Sequence, residues 1–163
     1  MNYKLNNLTI RLLRLRLAMT LLILGSCFCY AQNPPCDGKA LKENAKKQFG
    51  EGKYTYDMSK LTQIVYKAKP WLKEIEVPLF IGEKYKMVFN TEALPKQIVV
   101  SIYNRDKDSK KRKLLFTTKD APADKKLFVL DLSAARKAFI DYEIPVGDST
   151  ASGGCLVFMM GYK

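Results

Sequence analysis

Few residues of this sequence could do chemistry, and their types narrow what that chemistry is. Histidine is absent. Its absence removes Ser-His-Asp and Cys-His nucleophilic catalysis and all imidazole ligation of metals. Cys36 and Cys155 are the two cysteines beyond the N-terminal leader. Two lone thiols without histidine make no usual zinc site, and in an oxidising compartment they are expected to pair as a disulfide. That bridge would close a loop of more than a hundred residues. Chain entropy gives a loop of that size about 4–5 kcal/mol.

Paired carboxylates are the remaining route to acid–base work. Asp141 and Glu143 are two apart and share one face of a strand. An ordinary solvated outer face explains them better, and that is the reading adopted. Asp106-Lys107-Asp108 has the alternating oxygens of a calcium loop, without its glycine or terminal glutamate. Its basic neighbours would repel a cation. No catalytic residue, metal site or cofactor is therefore assigned, and the protein is not expected to be an enzyme.

The densest charge cluster is Arg105, Lys107, Lys110, Lys111, Arg112 and Lys113, six basic residues against two acidic ones in nine positions. Such a cluster suits contact with phosphate or carboxylate groups. Its plainer role is a charged hairpin tip that keeps a sheet edge soluble. Tyr54, Tyr56, Tyr66, Trp71, Tyr85 and Tyr103 could form a sugar-stacking platform, or could be core and partly buried residues of a sandwich. Nucleic acid is not expected as a partner, because no recognised binding motif appears.

The elements that must position these residues begin after a leader. Lys4, Arg11, Arg14 and Arg16 precede the apolar run Leu17 to Leu24, and small residues follow at Cys29-Tyr30-Ala31. This is the layout of a secretory signal. The apolar run is far shorter than the roughly 20 residues of a membrane span. Cleavage after Ala31 makes residues 1–31 a signal peptide and 32–163 a single domain. A rival reading takes Leu24-Gly25-Ser26-Cys27 as a lipobox, with Cys27 lipidated and the protein anchored. The chain holds 28 Lys and Arg against 16 Asp and Glu; the leader takes four of the basic residues and none of the acidic, so the remainder stays basic.

Asp37 can cap a helix over Lys39 to Phe49, where Leu41, Ala45 and Phe49 fall on one face. The rest reads as short strands separated by turns. Lys53–Asp57 alternates. Leu61, Ile64, Val65 and Ala68 fit a helix face, while Ile64-Val65-Tyr66 also suits a strand, the reading adopted because its neighbours are strands and Pro70 cuts the segment short. Val77, Leu79 and Ile81 alternate, as do Tyr85, Met87 and Phe89, with Gly82-Glu83 as the hairpin turn between them. Ile98–Tyr103 and Lys113–Thr117 flank the basic loop, so that its tip is held out from the body. Leu127–Leu130 is a strand, and Ser133 caps one helical turn through Ala135. Ile140, Tyr142 and Ile144 face inward. After the small-residue loop Val146–Gly154, Cys155–Met160 is apolar on both faces and reads as a central, doubly covered strand. Seven or eight such strands indicate an antiparallel β-sandwich, all-β apart from one short N-terminal helix.

Several pieces carry a resemblance. They are a cysteine near the mature N-terminus, Tyr54-Thr55-Tyr56-Asp57, the run Pro78 to Tyr85 (PLFIGEKY), Ile102-Tyr103, and a closing Gly154-Cys155 strand. Their order resembles small exported β-sandwich proteins of Gram-negative bacteria. More distantly, it resembles the jelly-roll domains that accompany secreted peptidases. The resemblance implies a jelly-roll-like sandwich that is exported, periplasmic or secreted, and it carries no catalytic residue over. The expected function is surface binding by a non-enzymatic envelope protein. Its partners would be lipopolysaccharide, an acidic glycan or another envelope protein, with no transmembrane helix in the mature chain. The alternative is a secreted carbohydrate- or polyanion-binding module, and the third possibility is an enzyme of unrecognised type.

Overall fold

A computed structural model describes residues 36–133, 136–148 and 153–163. The leader expected at 1–31, with its expected cleavage after Ala31 and the rival lipobox reading at Cys27, lies outside the described residues. So does the end of the helical turn expected through Ala135, and the centre of the loop before Gly153.

Helix α1 spans Gly38–Lys46 and runs into a 3-10 turn at Lys47–Phe49. Asp37 starts it as expected, its Oδ1 accepting from the backbone N–H groups of Lys39 at 3.1 Å and Ala40 at 3.0 Å. Both donors would otherwise lack an intrahelical partner. Leu41, Ala45 and Phe49 are the buried stripe. They pack on Val88, Cys155, Val157 and Met159, which cover the outer face of one sheet.

Eight strands follow: β1 Thr55–Val65, β2 Trp71–Pro78, β3 Lys84–Asn90, β4 Val99–Tyr103, β5 Leu114–Thr117, β6 Leu127–Ser133, β7 Lys137–Ile144 and β8 Gly153–Tyr162. They form two antiparallel four-stranded sheets, ordered β1-β8-β3-β6 and β2-β7-β4-β5. The pairings β1–β8, β2–β7, β3–β6 and β4–β5 nest one inside another, with β4–β5 as the innermost hairpin. A long hairpin rolled over on itself in this way is a jelly roll. The all-β sandwich with one short helix is therefore borne out, as are the pairing of β4 with β5 and the central place of β8. Leu156, Phe158 and Met160 of β8 face the inter-sheet core, while Cys155, Val157 and Met159 face α1.

Three local expectations are corrected. The runs on either side of Gly82 do not form a hairpin: β2 and β3 lie in opposite sheets. Val77 and Leu79 meet Tyr85, Met87 and Phe89 across the core instead. Alternation records only which residues face the core, and it is the same whether consecutive strands pair or oppose each other. Gly82 still makes the turn at φ 94°, but Ile81 points out of the core and is 73% exposed. In addition, the two short strands expected between Lys53 and Tyr66 are one strand, β1, with an irregularity between Tyr56 and Met58. Ser133 belongs to β6.

Cys36 and Cys155 form a disulfide across a sequence separation of 119, with their Cα atoms 6.0 Å apart. It joins the lead-in of α1 to the start of β8. Among the described residues, no helix is long and apolar enough to cross a membrane.

Candidate anion-binding surface

Register brings two acids together on the outer face of the second sheet. Glu74 of β2 lies directly opposite Asp141 of β7. Like charges on adjacent strands repel, and a cation from the basic loop resolves the conflict. Arg112 donates from Nη1 to Asp141 Oδ2 at 2.9 Å, and from Nη2 to Asp141 Oδ1 and Glu74 Oε2, both at 2.8 Å. Its Nε donates to the Arg105 carbonyl at 3.0 Å, and its guanidinium lies 3.6 Å from the centre of the Tyr103 ring. Burial works against the Arg112 charge, but the hydrogen bonds and charges of Asp141, together with Glu74, raise its pKa on balance. Burial pushes the Glu74 carboxyl above its ordinary range, the Asp141 charge adds to this, and Arg112 opposes it.

The solvated-face reading of Asp141 is therefore corrected: its side chain is 3% exposed beneath Arg112. Glu143 on the same face remains exposed. The basic loop is likewise tethered to the sheet rather than held out from it. Arg112 grips the sheet at one side of the loop, and the Lys107 backbone N–H faces Glu74 at the other. The base is closed by Lys113 N–H donating to Asn104 Oδ1 at 2.7 Å. Asp106 spends an oxygen on the Asp108 N–H at 3.0 Å. Among the described residues, no group of three or more acidic or cysteine side chains could hold a metal ion.

The remaining basic residues divide. Lys107, Lys110 and Lys111 are exposed along the loop. Arg105 and Lys113 instead border a cleft of about 650 Å³, together with Arg136 and Lys137, over a floor that includes Leu132 and Phe139. Pairing of Tyr103 with Phe139 brings the end of β4 beside the start of β7, which places these four cations around one space. Asp106 is the acid on the rim. Lys137 pairs with Glu76. Among the described residues, no ion pair involves Arg105, Lys113 or Arg136.

Sequence reasoning missed Arg136, Lys137 and Glu74. Their neighbours are set by strand register, and the sequence offers no local signal for it. The aromatic residues do not make one platform. Tyr85 is buried, and its hydroxyl accepts from the Phe80 N–H at 2.9 Å. Tyr66 donates to the Lys96 carbonyl at 2.6 Å, and Tyr103 is covered by Arg112. Trp71 is tied to the Val65 carbonyl at 3.0 Å, with Lys67 over its ring. Tyr54 and Tyr56 border a separate groove beside Phe49.

No family model matches the chain, and no curated protein sequence is significantly similar to it.

Proposed function

We propose that the protein is an exported, non-enzymatic envelope protein that binds anionic groups of the cell surface through the cleft between its β4–β5 loop and the start of β7. The observation that carries this reading is the convergence of Arg105, Lys113, Arg136 and Lys137 on one cleft, where Asp106 is the one acid among the described lining residues and Glu76 neutralises Lys137 from outside it. Clustered cations around a concave, low-dielectric wall focus their field outward and attract phosphate or carboxylate. Two of the four are arginines, whose planar fork matches either group. The Cys36–Cys155 bridge supports export, since such bonds persist in oxidising compartments.

The test is binding of the purified protein to lipopolysaccharide and to dextran sulfate at low and physiological salt. Salt-sensitive binding to both is expected, because screening over a Debye length of about 8 Å at physiological salt weakens exposed charge contacts. Absence of binding to either at low salt would overturn the reading. Intact mass of the native protein tests export and processing: cleavage after Ala31 gives a chain beginning at Gln32, whereas a diacylglyceryl addition at Cys27 marks an anchored lipoprotein.

A further inference from the structure

The connection between β2 and β3 carries an apolar tip that the anion-binding reading leaves unused. Phe80 is 68% exposed and Ile81 73%, the two highest values among the large hydrophobic side chains described. They are neighbours, so they form one patch rather than scattered surface residues. The backbone beneath them is fixed. The Leu79 N–H donates to the Arg136 carbonyl at 2.9 Å, and the Phe80 N–H donates to the hydroxyl of buried Tyr85 at 2.9 Å. Leu79 itself is buried in the core. An anchored turn thus drives two apolar side chains into solvent.

Strand pairing fixes what surrounds the tip. Pro78 lies opposite Lys137, and the Leu79–Arg136 hydrogen bond places Arg136 alongside. On the other flank, Lys84 and Lys163 exchange backbone hydrogen bonds, both at 3.0 Å. The ends of β2, β4, β6 and β8 and the starts of β3, β5 and β7 share this end of the jelly roll. The basic cleft is therefore at the same end as the tip.

We infer that this end of the sandwich docks on an anionic lipid bilayer, with Phe80 and Ile81 entering the boundary between headgroups and acyl chains while Arg136, Lys84 and Lys163 meet phosphates. The inference rests on the anion-binding reading and names its partner. Apart from Glu83 in the same turn and the Glu76 that pairs with Lys137, the rim of this apolar wedge is basic, which matches a surface that is negative outside and apolar beneath. A free polysaccharide offers the charge but no apolar interior for Ile81. A second copy of the chain offers the apolar surface, but two-fold contact would set the same cations against each other.

The experiment compares the purified protein with a Phe80→Ser/Ile81→Ser variant. One arm is co-sedimentation with phosphatidylglycerol–phosphatidylcholine vesicles at physiological salt, and the other is binding to dextran sulfate. The variant is expected to lose vesicle affinity by at least about tenfold and to hold dextran sulfate as the native protein does. Equal vesicle binding by both proteins would overturn the inference and leave anion binding standing. If the native protein holds neither ligand, both are overturned. Self-association of the native protein through the tip, abolished in the variant and without vesicle binding, would also overturn it. Phe80→Trp supplies a measurement that does not depend on the double variant folding. Lipids brominated in their acyl chains should quench its added fluorescence beyond that of Trp71, which begins β2 at the opposite end. No added quenching would overturn the inference.

Discussion

Arg112 grips Asp141 with two hydrogen bonds, 2.9 Å from Nη1 to Oδ2 and 2.8 Å from Nη2 to Oδ1. The contact spans 29 residues and turns a basic loop into part of the sheet face. Removing one partner of such a pair leaves the other charge buried and uncompensated, which costs about 3–5 kcal/mol. Here two acids would be left, and Glu74 would face Asp141 unscreened. Arg112→Ala is expected to fall in that range in denaturant unfolding. Glu74→Gln removes a repulsion as well as a contact, so its cost should be well below that of Arg112→Ala.

The same cluster sets a pH dependence. The Glu74 carboxyl is raised by burial, then by Asp141, above its ordinary value of 4.5. A raised folded-state pKa means that the folded protein binds this proton more tightly than the unfolded chain. Its contribution is fully present below the unfolded value and is lost as pH rises through the folded one. Stability of native protein minus stability of Glu74→Gln should therefore decline as pH rises from about 4.5 through that window. Unfolding midpoints of both proteins across the window check the sign; a flat difference would remove the assignment.

Tyr142 lies in the inter-sheet core with no exposed surface. Among the described residues, no partner takes its hydroxyl, and burial raises its pKa far above the ordinary phenol range. A buried hydroxyl without a partner costs roughly 1–3 kcal/mol of desolvation. Tyr142→Phe keeps the ring and deletes that oxygen. It should hold or raise the thermal midpoint, whereas a marked fall would show that the hydroxyl has a partner.

The Cys36–Cys155 bridge closes a separation of 119 residues, and Cys155 also packs against Leu41 and Ala45 under α1. Cys155→Ser loses the bridge, worth about 4–5 kcal/mol in the chain-entropy account, and places a hydroxyl in an apolar contact. A drop of several kcal/mol with an unchanged far-ultraviolet spectrum is expected. Non-reducing peptide mapping of the native protein should return one linked pair.

How much of this was legible depends on range along the chain. Period-two alternation identified the core residues of β3 and β7, because facing the core is a local property of a pleated strand, and the two-faced apolar run Cys155–Met160 marked β8 as a covered strand. Asp37 and the Leu41-Ala45-Phe49 stripe announced α1 for the same reason. Pairing across the molecule was not written locally. Val77 and Tyr85 look alike whether β2 and β3 pair or oppose, so the Gly82 turn was misread as a hairpin. Asp141 looked solvated because Arg112, 29 residues earlier, and Glu74, 67 residues earlier, are brought to it only by register. The cleft suffered likewise: Arg105 and Lys113 stood out in a basic run, while Arg136 and Lys137 formed only a short pair.

That division predicts which cations matter for anion binding. If charge density along the sequence decides, Lys110→Ser/Lys111→Ser should weaken binding most. If the cleft decides, Lys113→Ser/Arg136→Ser should. Each pair removes two positive charges, so long-range attraction falls equally and only local geometry differs. Arg112 is left in place in both, since replacing it would free Asp141 and Glu74 and release the loop. All four side chains to be replaced are exposed, and surface changes of this kind usually alter stability by less than about 0.5 kcal/mol. Fluorescence anisotropy with labelled dextran sulfate at two salt concentrations makes the comparison. The cleft pair is expected to lose roughly tenfold, about 1.4 kcal/mol, at low salt, and the loop pair only a few-fold. Equal losses would make the surface a diffuse basic field. A larger loss for Lys110→Ser/Lys111→Ser would move the site from the cleft to the loop tip.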